Sequence, residues 1–142
     1  MTEPVEPAPA DGGDPASRGR TTISDGVVEK IAGLAAREVV GVHALGSGAS
    51  RTFGAVRDRV PGGRSAFSRG VKAEVGEVQT AIDLEIVVDY GFSIAEVARA
   101  VRENVISAVE RMTSLEVVEV NIAVMDVKLP EDEEEELEPR LQ

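Results

Sequence analysis

Residues 71–90 constrain this chain more than any other segment. Val71, Ala73 and Val75 alternate with Lys72 and Glu74, and beyond Gly76-Glu77 the alternation resumes. Val78, Thr80, Ile82, Leu84, Ile86, Val88 and Tyr90 then share one face, with Gln79, Asp83, Glu85 and Asp89 on the other. A period of two with an apolar and a charged face is the pattern of a half-buried antiparallel hairpin. Gly76-Glu77 is expected to form its two-residue turn, with glycine first as a type II′ turn requires. One apolar sheet face needs a cover, so the flanking segments must supply it.

Two helical patterns do so. Ser24 reads as an N-cap, Asp25 places a carboxylate in the first turn, and Ile23 with Val28 forms a hydrophobic staple. Val27, Val28, Ile31, Leu34 and Ala35 follow at helical spacing. Gly33 weakens this helix by about 1 kcal/mol relative to alanine. A β-prone stretch, 39–45, comes next. The second helix, over 94–112, opens with a Ser93/Glu96 capping box and a Phe92/Val97 staple. Its stripe is Ile94, Val97, Ala98, Val101, Val105, Ala108, Val109 and Met112, with Arg99 and Glu103 four apart on the wet side. A last strand, about 116–127, sets Val118, Val120, Ile122 and Val124 against Glu119 and Asn121, and Pro130 closes the fold. Helix-then-strand recurs: Ile31 matches Val109, Leu34 matches Met112, and Glu38-Val39-Val40 matches Glu116-Val117-Val118. The order α-β-β-β-α-β predicts an α+β two-layer sandwich: a mainly antiparallel sheet with two helices on one face.

Composition narrows the chemistry. The chain has 142 residues, the length of one domain, and no cysteine, which removes disulfides, thiolate chemistry and Cys-based metal sites. One histidine excludes a multi-His metal site. Three Phe, one Tyr and no Trp leave no base-stacking platform, and a net charge of −11 argues against nucleic acid as a partner. That charge is uneven. Residues 1–20 carry −2 and contain Pro4, Pro7, Pro9 and Pro15; residues 131–142 carry −6; the 110 residues between carry only −3. The arm 1–20 and the tail 131–142 are expected to be disordered around a single domain at 21–130. No run approaches the ~20 apolar residues of a membrane span, and the N-terminus lacks a signal-peptide core, so a soluble, cytoplasmic protein is expected.

Asp83, Glu85 and Asp89 lie at strand spacing but on the wet face, with no clustered His, Lys or Cys to perturb them. They read as a solvated surface. His43 has no neighbouring Ser or Cys nucleophile and reads as a structural or surface residue. Gly46-Ser47-Gly48 is followed by Arg51 where a dinucleotide fingerprint needs glycine, and no Gly-Lys-Ser/Thr follows. No catalytic residue, cofactor or metal site is therefore expected, and the protein is expected not to be an enzyme.

The segment 46–70 is different. Arg51, Arg57, Arg59, Arg64 and Arg69 stand against Asp58 alone, a charge of +4 inside an acidic chain. Phe53, Val56 and Val60 fall at helical spacing before Pro61-Gly62-Gly63. A loop this long is either solvated and disordered or functional. In the functional reading Arg51, Phe53, Arg57, Arg59, Arg64 and Arg69 form a docking segment for an acidic partner, anionic headgroups or the protein's own tail.

The assembled pattern resembles the alkaline-shock-protein family, also called glucose-starvation or envelope stress response proteins of Gram-positive bacteria. The resemblance rests on Ile23–Ala32, Ala35–Val42, Gly70–Gly76, Ile82–Gly91, the helix 94–112 and Val117–Ile122, and spans about 22–129. It implies a small non-enzymatic protein of cell-envelope homeostasis, working through protein partners, with self-association. It also implies association with the membrane's inner face through a membrane-anchored protein in some members. Others are linked to control of fatty-acid synthesis, which makes a regulatory binding protein for a lipid-metabolic enzyme the alternative. The long Arg-rich loop, the Pro-rich arm and the Glu-rich tail depart from shorter members, and the Ala, Val and Arg usage resembles an actinobacterial variant.

Overall fold

The long alternating strand is the axis of the molecule. The structure, a computed structural model, describes residues 14–46 and 69–131. β3 (Gln79–Asp89) is paired on both edges. One edge carries β1 (Val42–Leu45) and β2 (Val71–Val75) end to end, both antiparallel to β3. β1 lies along Val88–Ile86 and β2 along Leu84–Thr80. The other edge carries β4 (Glu116–Lys128), parallel to β3 from Gln79 to Asp89. The helices are α1 (Asp25–Arg37) before β1 and α2 (Ile94–Thr113) between β3 and β4. The order α-β-β-β-α-β and the α+β class are as expected. The parallel pairing follows from α2 itself, since a helical crossover returns the chain to the end where β3 began.

Both helices cover one face. Val28, Ala32, Ala35 and Ala36 of α1 and Val97, Val101, Val105 and Val109 of α2 join Leu45, Val71, Ala73, Ile82, Leu84, Ile86, Val88, Leu115, Val117 and Val120 in one core. Each fully buried Val, Leu or Ile is worth about 1.5–3 kcal/mol of transfer free energy. The alanines let α1 sit low over the sheet, so the valines of α2 fill the space between.

Several local expectations shift. Gly76 N–H donates to Gln79 O at 2.8 Å, so Glu77 and Val78 occupy the turn centre, and Gly76 does not take a positive φ. The Val75–Thr80 pairing fixes that register. Val78 is therefore left 69% exposed in the turn, and Tyr90, beyond the strand end, is 67% exposed. In β4 the register slips between Thr80 and Ala81, where Val117 and Glu119 are the successive partners. This bulge turns Val118 outward and puts Val117 into the core. Val27, Leu34, Ile94 and Met112, placed on apolar stripes by spacing, are at least 45% exposed.

The helix ends differ in kind. Ser93 Oγ accepts from Glu96 N–H at 3.3 Å, as expected of the cap. Ser24 holds the extended N-cap backbone but makes no side-chain cap bond. Residues 39–41 turn rather than extend, because Gly41 takes φ +104 beneath Val97 and Phe92. A Cβ there would lie 2.8 Å from Val97 Cγ2. Within the N-terminal arm, Pro15–Ser17 form one exposed 3-10 turn capped by Asp14.

Candidate partner-docking site

The two glycines that bracket the basic segment in the sequence, Gly46 and Gly70, meet at one point. Gly46 N–H donates to Glu85 O at 2.6 Å, and Glu85 N–H donates to Gly70 O at 2.8 Å. Gly46 has φ +87 and Gly70 φ +75, the left-handed region that glycine enters without penalty. A Cβ on Gly70 would collide with Gly46 N and lie 2.7 Å from Gly46 Cα. The two glycines thus clasp the base of the segment against the middle of β3. The described residues on either side of the segment thus belong to one sheet edge, whose two halves are β1 and β2.

Of the candidate residues, Arg69 lies at this clasp, half-buried and engaged by neighbours. Arg51, Phe53, Arg57, Arg59 and Arg64 lie outside the described residues.

The carboxylates weighed for catalysis are separated and structurally occupied. Asp83 Oδ1 accepts from Asn121 Nδ2 at 3.0 Å, and the same amide reaches Glu119 Oε2 at 2.8 Å. Asp89 Oδ1 lies 3.0 Å from His43 Nδ1. That contact ties β1 to the end of β3 and gives the lone histidine a partner that spacing did not show. Among the described residues no group of three or more His, Asp or Glu is placed to hold a metal ion. A shallow apolar groove of about 260 Å³ runs between the helices, lined by Ile31, Leu34, Ala35, Ala108 and Met112 with Lys30, Arg111 and Glu38 at its rim.

Sequence reasoning missed a second set of residues. Asp25 Oδ1 accepts from Val75 N–H and Glu29 Oε2 from Ala73 N–H, each at 3.1 Å. These N–H groups face away from β3, so α1 closes the outer edge of β2 with two carboxylates one helical turn apart. α2 does the same at the start of β4: Glu110 Oε2 accepts from Val117 N–H at 3.0 Å, and Arg102 Nε donates to Val120 O at 3.2 Å. The available signal was Glu29, a carboxylate set between Val28 and Ile31 on the buried stripe, which is 7% exposed.

No helix among the described residues is long and apolar enough to cross a membrane. Residues 13–129 match the model of the alkaline shock protein 23 family, described as having a cell envelope-related function. The chain is 38% identical over 121 residues to a stress response regulator gls24 homologue of Streptococcus pyogenes, covering 85% of this chain and 65% of that protein. It thus spans slightly less than two thirds of that relative. It is 34% identical over 114 residues to Bacillus subtilis YqhY, covering 78% of each, and 32% identical over 117 residues to YloU of the same organism, covering 78% and 90%. No solved structure matches. On the family match and these identities, the chain belongs to the alkaline shock protein 23 family of cell envelope-related proteins.

Proposed function

We propose that this protein is a non-enzymatic interaction module of envelope stress response and cell-envelope homeostasis. It docks an acidic protein through the basic segment 46–70 and associates with further copies of itself. One observation supports the reading: Gly46 and Gly70, which bracket a segment of charge +4 in the sequence, meet at Glu85 in the middle of β3. Basic charge held at one place on an acidic protein raises the local concentration of an acidic partner and its association rate. The family's envelope-related description and the stress-regulator name of the streptococcal relative support the cellular setting. In this reading the protein is cytoplasmic and reaches the membrane's inner face through a membrane-anchored partner.

The test is affinity purification from the native cell. Wild type is compared with R57E/R59E, read by the identity of the co-purifying protein. The reading expects an acidic, envelope-associated partner with wild type and its loss from the variant. An unchanged partner set with the variant removes the docking role of the segment. Recovery of an enzyme of fatty-acid synthesis as the lost partner would instead favour a regulatory binding protein for that enzyme.

A further inference from the structure

The edges of the sheet are unevenly protected, and the unprotected stretch is self-complementary. The β2 edge is closed by Asp25 and Glu29, and the start of β4 by Glu110 and Arg102. At the far end of β4, Val127 N–H is taken by the Asp126 carboxylate at 2.8 Å. Between these points β4 offers Asn121–Asp126.

The direction of each backbone group there follows from its neighbours. Glu116 N–H donates to Val78 O, and Lys128 O accepts from Tyr90 N–H, so these groups point at β3. Val117 N–H, Val120 O and Val127 N–H bond to side chains and point away. From Val120 the strand pairs with β3 without a slip as far as Val124, opposite Ile86. Alternation therefore turns Ile122 and Val124 outward along with Val120. Among the described residues neither has an outward hydrogen-bond partner. Both side chains are half-buried against the helices, whereas Ala123 between them is exposed on the opposite face.

We infer that Asn121–Asp126 of β4 is a docking edge for the same stretch of a second copy, antiparallel about a two-fold axis at Ala123. This inference rests on the self-association in the proposed function and assigns it a surface. Of the centres that leave Val120 O to Arg102, this one sets both outward residues, Ile122 and Val124, opposite outward residues. Ile122 then faces Val124 of the other copy and Val124 faces Ile122, which gives about four inter-chain backbone bonds. The axis pair is alanine against alanine, the smallest side chains at the closest approach. A second register slip, between Ile86 and Val87, leaves Met125 as an extra residue, so the regular pairing is confined to Ile122–Val124, where no charged side chain stands. An uncharged edge without proline is a template for strand addition, and among the described residues Ile122–Val124 is uncovered while the β2 edge and the start of β4 are closed. The partner is thus a second copy of this chain.

Three measurements on the full chain test it. Light scattering of wild type across a concentration series should show a dimer or larger species. The chain has no cysteine, so A123C places one thiol at the axis; a Cα separation of about 4.5 Å across such a pair lies within disulfide range. Under mild oxidation A123C should form a covalent dimer at least about tenfold faster than E77C, whose thiol would sit in the exposed hairpin turn. A123R should weaken association about tenfold at low salt and less at high salt, because it sets like charges opposite one another. A strictly monomeric wild type overturns both the edge and the self-association it rests on. An associating wild type whose A123C links no faster than E77C overturns the edge alone.

Discussion

The carboxylate of Glu29 accepts a 3.1 Å hydrogen bond from the backbone N–H of Ala73, joining the middle of α1 to the outer edge of β2. Glu29 is 7% exposed, so water does not substitute readily if the carboxylate is lost. E29A should destabilise the fold by about 1–3 kcal/mol through the orphaned N–H, and E29Q by less, because the amide oxygen still accepts. Urea denaturation of the two variants checks the order. Equal losses would mean that the carboxylate's charge, and not an acceptor at this position, carries the effect.

Gly70 should tolerate no side chain. Its φ of +75 and the contact of a Cβ with the Gly46 backbone act together, so G70A is expected to cost about 2 kcal/mol or more. Gly91 is the control, since φ is +103 but nothing lies within 4 Å of its Cβ position. G91A should cost about 1 kcal/mol, the strain alone. Thermal melts of both separate strain from collision.

The two helix N-termini should respond differently to the same change. S93A removes the acceptor for Glu96 N–H and should cost about 1 kcal/mol. S24A removes a hydroxyl that makes no cap bond and should cost less than about 0.5 kcal/mol. Equal effects would contradict the geometry at Ser24.

Because Gly46 and Gly70 touch, the segment between them should be separable from the fold. A variant in which residues 47–69 are replaced by two glycines should fold, with the hydrogen-exchange protection of Ile82, Leu84 and Ile86 retained. Collapse of that protection would show that the segment contributes to the core.

The long strand, both helices and their buried stripes were legible because each is periodic over many residues, and periodicity reports which face is buried. Val78, Tyr90 and Val118 were misplaced because the hairpin register and the β4 bulge are set by pairing, which a one-dimensional pattern does not contain. The clasp was also invisible: Gly46 and Gly70 are far apart in sequence, and only the shared bonds to Glu85 bring them together. Asp25 read only as a first-turn carboxylate, and Arg102 and Glu110 carry no signal in the sequence, because their partners are backbone groups of distant strands. The basic segment was legible as charge, while its point of attachment was not.

The proposed docking role belongs to the basic segment between Gly46 and Gly70. Its most direct measurement is affinity purification from the native cell with wild type and the 47–69 excision variant side by side, after hydrogen exchange has shown that both are folded. An acidic partner recovered with wild type at physiological salt is expected to be lost from the excised protein. Recovery of the same partner in the same amount with both proteins would contradict it.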